Sequence, residues 1–524
     1  MHTKKFVAVL SAVALSATLV SCGGKDDDQA GGNYVSVNGS EPQNPLVPAN
    51  TNENGGGRII DTLFSGLVYY DNNGETKNDL AESITPKGDR AFEIKIRPDA
   101  KFSDGSQVKA KSFVDAWNYA VEKSQLDASF FEPIEGYKEG QKLSGLKVDD
   151  DTTFTVTLSQ PLGEFPNRLG HPAFAPLPDS AFTNMDGFGE NPVGSGPYKL
   201  KEWNHNQNAV VVPNDNYNGP RKPKNEGVNF VFYPKLDAAY ADLLSGNLDV
   251  LDNIPDSAMA NYKQELGDRS INKPVAGSQG FIIPGQADHF KGEEGKLRRQ
   301  AISMAVDRPE IIKAIFQGTR TPATDFTAPV IPGHSDNLKG EEVLQYNPQK
   351  AKELWAKADA MSPWSGKFAI AYNSDGGHQA WVDATVNAIR NNLGIEAEGN
   401  PYPDFKSLRT DVTKRQIKTG FRSGWQGDYP ALSNFLEPLY ATKASSNDGD
   451  YSNPQVDELL EKASSTTNQD ESRKLYNQVQ EILMTDLPFI PLWNSNAVSG
   501  YSDKVADVTI DWKGEPAYDQ ITKK

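Results

Sequence analysis

Residues 421–430 read Phe-Arg-Ser-Gly-Trp-Gln-Gly-Asp-Tyr-Pro, an arginine, a tryptophan between glycines and a carboxylate within ten positions. On an extended strand Arg422, Gly424, Gln426 and Asp428 share one face, and they span about 20 Å if fully extended. A charge beside aromatic rings either faces water or meets a charged partner. Taken alone, Asp428 is also well explained as a turn residue before Tyr429-Pro430, and Arg422 as half of a surface ion pair. Reactive constellations are missing elsewhere. The six histidines are His2, His171, His205, His289, His334 and His378. No two sit three to five residues apart, so no zinc pair is visible. His378 follows Ser-Asp-Gly-Gly and reads as a surface-loop histidine. Gly366-Lys367 lacks the first glycine of a phosphate loop, because residue 361 is Met361, and Phe368 stands where Ser or Thr is needed. The run Asp149-Asp150-Asp151 reads as a solvated turn between strands. The expectation is no catalytic residue, no metal and no cofactor.

The first twenty-odd residues belong to targeting. Lys4 and Lys5 precede an apolar or small-residue run, residues 6–20, which is too short to span a bilayer. Residues 1–21 read as a secretory signal peptide. Leu19-Val20-Ser21-Cys22 is similar to a lipobox, which implies cleavage before Cys22 and lipid attachment to it. Acyl chains contribute about 0.8 kcal/mol per buried methylene, so several hold a soluble body on a membrane. Cys22 is the only cysteine, so no disulfide forms within the chain. The Gly-rich, charged residues 22–32 read as a tether. The net charge of −17 argues against a nucleic-acid partner. The 524-residue length is enough for two or three domains.

Strand-like alternation and helical periodicity interleave through the body. Residues 92–97, 153–159, 209–213, 228–234, 279–284 and 367–373 read as strands. Phe113, Ala116, Trp117, Ala120 and Val121 fall at helical spacing. Further helices are expected after Pro234 with Gly246 as stop, behind the capping Asp307, over 351–360, up to Gly394, and as two amphipathic segments before Pro488. The class is α/β or mixed. Pro/Gly punctuation at 191–197, 273–280 and 487–491 marks places where the chain changes sheet or domain.

Five segments in order resemble extracellular solute-binding protein family 5, and its peptide binders in particular: Lys101-Phe102-Ser103-Asp104-Gly105 and its surroundings, residues 191–203, 297–308, 424–436 and 486–493. The resemblance implies a two-lobed clamp of the periplasmic-binding-protein type (type II, cluster C-like) with an additional inserted domain. Lobe I would comprise residues 33–54, 192–276 and 493–524, the inserted domain 55–191, and lobe II, with the ligand loop, 277–492. In relatives the acid of Gly-Trp-x-x-Asp receives a peptide's α-ammonium, a position matched by Asp428. Arg422 matches a base that in some relatives meets the ligand carboxylate, and Trp425 a pocket wall. Gly277, Ser278 and Gln279 match a hinge segment whose backbone meets ligand. Gly424 and Gly427 would admit another backbone beside Trp425, Gln426 and Asp428. Phe130, Phe131, Phe405 and Trp493 match aromatic pocket regions.

The expected function is a lipid-anchored receptor of an ABC importer, not an enzyme. It would act as a monomer on the outer face of the cell membrane, or in the periplasm. It would capture short peptides by their amino terminus and backbone and pass them to permease subunits with their ATPases. The alternatives are a non-peptide solute (nickel chelate, haem, glutathione or a sugar oligomer) and a surface hydrolase assembled from distant segments.

Overall fold

The computed structural model describes residues 33–524, so the leader, the tether and Cys22 lie outside the described residues. The organising element is an eleven-stranded sheet. From one edge its strands are Ala397–Tyr402, Phe368–Asn373, Gly420–Gln426, Ser270–Ile282, Phe489–Tyr501, Val250–Leu251, Val35–Gly39, Val228–Phe232, Asn208–Pro213 and Tyr198–Asn204. A short strand, Arg320–Pro322, pairs off Phe489–Tyr501.

Two antiparallel strands of 13 residues each, Ser270–Ile282 and Phe489–Tyr501, join the halves of this sheet. Val250–Leu251 pairs with Gly500 and Tyr501, at one end of the pair. Gly420–Gln426 pairs with Gly277 to Ile282, at the other. Between Pro274 and Ser278 the ladder slips. Pro274 has no N–H to donate, and at the slip Ala276 donates instead to the Trp512 carbonyl, 2.8 Å, and accepts from Gly427 N–H, 2.8 Å. Sequence punctuation at 273–280 therefore marks a bulge inside one continuous strand, not its end.

The two halves are covered differently. A four-stranded antiparallel sheet, in the order Ala81–Lys87, Ala91–Ile96, Thr153–Thr157, Leu146–Val148, packs against helix Ala110–Glu122. Phe113 stacks on Phe154 at 5.7 Å, and Trp117 meets Phe174 edge-on at 5.3 Å. Its core runs without interruption into Val35, Val37, Val211 and Phe230 of the main sheet, so these parts form one body. At the other end, parallel strands Phe368–Asn373, Ala397–Tyr402 and Gly420–Gln426 carry helices on both faces. Phe435, Tyr476 and Leu483 fill one layer, and Trp381, Ile389 and Ile302 the other. Parallel strands demand such double cover. Local signals fix the helix ends. Asp307 accepts from Glu310 N–H at 3.1 Å, Asn347 accepts from Lys350 N–H at 3.0 Å, and Gly394 ends helix Gln379–Leu393 at φ +72°. The whole is a two-lobed α/β clamp. Among the described residues no helix is long and apolar enough to cross a membrane.

Candidate functional site

Strand Gly420–Gln426 has two unlike edges. One pairs throughout with the crossing strand, setting Gly277 opposite Gln426, Ser278 opposite Trp425 and Gln279 opposite Gly424. The other pairs with Ile370 and Ala371 only as far as Gly420 and Phe421. From Arg422 onward that edge has no ladder partner among the described residues, and Gly424, Gln426 and Asp428 are exposed. Unpaired strand edges accept a further strand.

Asp428 follows the strand and is held by one side chain. Asn434 lies buried in the first turn of helix Leu432–Tyr440. Its Oδ1 accepts from Asp428 N–H at 2.9 Å, and its Nδ2 donates to Asp428 Oδ2 at 3.0 Å. The Trp425 indole N–H also donates to Asn434 Oδ1, 3.3 Å. Asp428 forms no ion pair among the described residues. Loss of water between the cleft walls raises its carboxyl pKa, and Asn434, Lys513 and Arg168 pull it partly back. Asp428 is thus a solvent-reachable carboxylate of fixed direction whose charge is poorly compensated. A cavity of about 440 Å³ opens beside it, lined also by Tyr70, His171, Trp512 and Lys513.

At the strand's start, Arg422 has no carboxylate within ion-pair distance among the described residues. Its guanidinium lies over the exposed Phe405 ring, 5.5 Å from the centroid, and its Nε sits 3.0 Å from His378 Nε2. Burial lowers the Arg422 pKa. His378 is no surface-loop residue: it is buried, with Nδ1 3.1 Å from the Trp381 indole nitrogen. Burial, with Arg422 beside it, pushes its pKa down to about 4. A neutral imidazole accepts at one nitrogen only. Flanked by the N–H groups of Trp381 and Arg422, it can accept from only one of them, and the Arg422 Nη atoms have no acceptor among the described residues.

Other expected residues stand back from the cleft. Gln279 accepts from the Trp493 indole at 2.7 Å and lies 3.4 Å from His378, so both support His378 from behind. Trp493 is fully buried, edge-on to Trp381 at 5.6 Å, and is a core residue, not a pocket wall. Phe131 is likewise core, 4.9 Å from Phe174 and fully buried, because its helical turn faces inward. Phe130, half-buried, stacks on His171 at 3.7 Å. The close backbone approach that Gly424 and Gly427 permit is made by the chain itself. A Cβ at 424 would meet the Ser278 carbonyl at 2.9 Å, and one at 427 would meet Phe435 at 3.1 Å. Trp425 packs half-buried beside Leu439, Tyr440 and Phe489. Ser278 is buried, and Gly277 lies in the bulge. Sequence reasoning missed Asn434, whose spacing from Asp428 belongs to no motif, and His378.

The model of the bacterial extracellular solute-binding proteins, family 5 Middle, matches residues 75–447. The chain belongs to this family. Both the strand with Asp428 and the bulge with Gly277 to Gln279 fall inside the matched residues. Among family 5 relatives, the oligopeptide-binding protein OppA of Bacillus subtilis (strain 168) is 24% identical, covering 93% of this chain and 92% of that protein. The glutathione-binding protein GsiB of Escherichia coli O6:K15:H31 is 26% identical over 96% of this chain and 95% of that protein. The unliganded open form of MppA, a periplasmic murein tripeptide binding protein, superposes with a TM-score of 0.83 at 24% identity, covering 94% of this chain and 97% of that one. These relatives are binding proteins by name.

Proposed function

We propose that this family 5 member is the receptor of an ABC importer for short peptides, holding the free amino terminus on Asp428 and the peptide backbone on the open edge of Gly420–Gln426. The carrying observation is the carboxylate of Asp428, exposed, oriented by Asn434 and without a protein cation paired to it. Every linear peptide has one α-ammonium whatever its sequence. A charge-assisted bond to it contributes about 1.5–3 kcal/mol. Closure of the clamp without ligand would bury an uncompensated charge, so ligand favours the closed state by differential stabilisation. Arg422, short of an acceptor, suits the carboxylate of a short ligand. The edge strand supplies backbone bonds that ignore side chains.

The reading includes delivery to permease subunits driven by partner ATPases, no chemistry on the peptide, and action as a monomer. It also includes division into lobe I, inserted domain and lobe II as set out from the sequence, with Cys22 anchoring the body outside the membrane. The glutathione-binding relative supports one narrower version, since glutathione is itself a small peptide with a free α-ammonium. Titration calorimetry with Ala-Ala-Ala and its N-acetyl form tests the proposal. Acetylation should weaken binding by about 10-fold or more, the equivalent of 1.4 kcal/mol. Equal affinities would defeat it. Mass spectrometry of ligand released from protein made in cells would then identify the physiological guest.

A further inference from the structure

The cavity that Asp428 lines is walled by residues of two hydrophobic cores. Asp428 is held to helix Leu432–Tyr440, whose Leu432 and Phe435 belong to one core. His171, which lines the same cavity, opens the helical turn Pro172–Phe174, whose Ala173 and Phe174 belong to the other. The two segments meet directly. Arg168, three residues before His171, lies over the ring of Tyr429, the neighbour of Asp428, 5.1 Å from its centroid.

Several donors on these walls are already spent. The Tyr70 hydroxyl donates to the Asn167 carbonyl at 2.6 Å. Arg58 pairs with Asp252 and Glu515, and Arg221 donates to Asp79 at 3.3 Å and to Ser65 at 2.8 Å. His171 is different. Its ring is held flat on Phe130, with centroids 3.7 Å apart and planes 16° apart. Its Nδ1 accepts from Ala173 N–H at 3.3 Å. A backbone N–H can only donate, so Nδ1 carries no proton. Burial, with Lys513 nearby, pushes the ring's pKa down to about 3 and keeps it neutral. The single proton of a neutral imidazole therefore sits on Nε2. That atom makes no hydrogen bond among the described residues, and it is not sealed in the interior but opens on the cavity. An uncharged N–H donor of fixed direction thus shares the cavity with the carboxylate, from the other wall.

We infer that His171 is a ligand-binding residue whose Nε2–H donates to the first carbonyl oxygen of the bound peptide, so that the peptide's first residue bridges the two walls, ammonium to Asp428 and carbonyl to His171. The inference rests on the peptide reading above and adds a second backbone contact to it. In every linear peptide the first carbonyl oxygen is the backbone acceptor nearest the α-ammonium, whatever the side chains. A neutral donor suits a neutral oxygen. A contact made from the opposite wall also forms only when both walls hold the ligand, so it favours the closed clamp over the open one.

The test is a cycle of two ligands and three proteins, followed by titration calorimetry at pH 7. The ligands are Ala-Ala-Ala and the analogue in which an (E)-alkene replaces the first amide, which keeps the free amine and the shape but removes the first carbonyl. The proteins are wild type, His171→Phe, which keeps a ring against Phe130, and His171→Asn, which keeps an acceptor for Ala173 N–H. Ala-Ala-Ala should bind each variant about 5-fold more weakly than wild type, the effect of one lost hydrogen bond. The alkene should bind all three proteins alike. Histidine-ring NMR of the wild type gives a readout that needs no variant. Nε2 should be the protonated nitrogen, and its proton should shift downfield with Ala-Ala-Ala but not with the alkene. Equal losses for the two ligands, no loss for either, or a ring protonated at Nδ1 overturns the inference. If N-acetylation still weakens Ala-Ala-Ala by about 10-fold in wild type, that failure leaves the peptide reading standing. If Ala-Ala-Ala does not bind wild type at all, the inference and the peptide reading fall together.

Discussion

At the scale of single residues, the site depends on how one buried amide directs one exposed acid. Asn434 uses both ends of its side chain on Asp428 and shares its oxygen with Trp425. Asn434→Ala removes those bonds and frees the carboxylate to turn into solvent. Calorimetry with a free-amino peptide should then show affinity falling by about 5–10-fold, the effect of a hydrogen bond worth about 1 kcal/mol. Melting should shift little, because water can reach Asp428. An unchanged affinity would mean that Asn434 holds only the strand end. Protonation acts on the same atom. Only the ionised carboxylate attracts an ammonium, and desolvation holds the Asp428 pKa above its ordinary value. Peptide affinity should therefore fall as pH drops through that raised pKa, starting at higher pH than an ordinary aspartate would give. Asp428→Asn should bind weakly and flatten the dependence.

At the scale of elements, the open edge of Gly420–Gln426 carries a periodic signature. Successive backbone groups of a strand point to alternate sides. A peptide added to this edge would bond through every second residue. Methylating one backbone nitrogen at a time along a tetrapeptide should cost about 1 kcal/mol, or about 5-fold, at bonding positions and little between them. A uniform cost would argue against strand addition. How much of this was legible in the sequence follows from how local each signal is. Helix Pro348–Met361 and helix Leu236–Ser245 are legible because their signals are local, periodicity behind the Asn347 cap in the first and periodicity up to the Gly246 stop in the second. The crossing strand Ser270–Ile282 was read only as a fragment. Pro274 and Gly277 look like breakers, and what bridges them is pairing to Trp512 and Gly427, far away in sequence. Motif resemblance singles out Asp428, but Asn434, which orients it, has no local signature. Phe131 and Trp493 match pocket regions by resemblance yet lie in the core, because an aromatic side chain looks the same in a wall and in a core.

At the scale of the whole molecule, the crossing strands are not the only tie between the lobes. Gly163 N–H reaches the Ser464 carbonyl, Ser472 Oγ donates to Glu164 at 3.2 Å, and Arg168 approaches Glu437 at 3.9 Å while stacking on Tyr429. A Cβ at Gly163 would lie 1.8 Å from the Thr466 carbonyl, so the backbones touch there. Glu164 is buried, and its Oε2 has no hydrogen-bond partner. Burial raises the Glu164 pKa to about 7, and Glu437 adds to the shift while Ser433, Ser472 and Arg168 oppose it. The native state thus keeps a proton that the unfolded chain, with an ordinary glutamate near pH 4.5, has released. Between those values the folded form binds more protons, so this group's contribution to stability declines as pH rises and is least favourable above pH 7. Glu164→Gln mimics the protonated acid at every pH. It should melt about 1–3 °C higher than wild type at pH 8 and coincide with it at pH 5. Asp127 and Glu515, also raised to about 7, depress wild type and variant alike, so the difference between the two curves isolates Glu164. A variant that melts lower at pH 8 would show that the ionised glutamate, attracted by Arg168, braces the lobes.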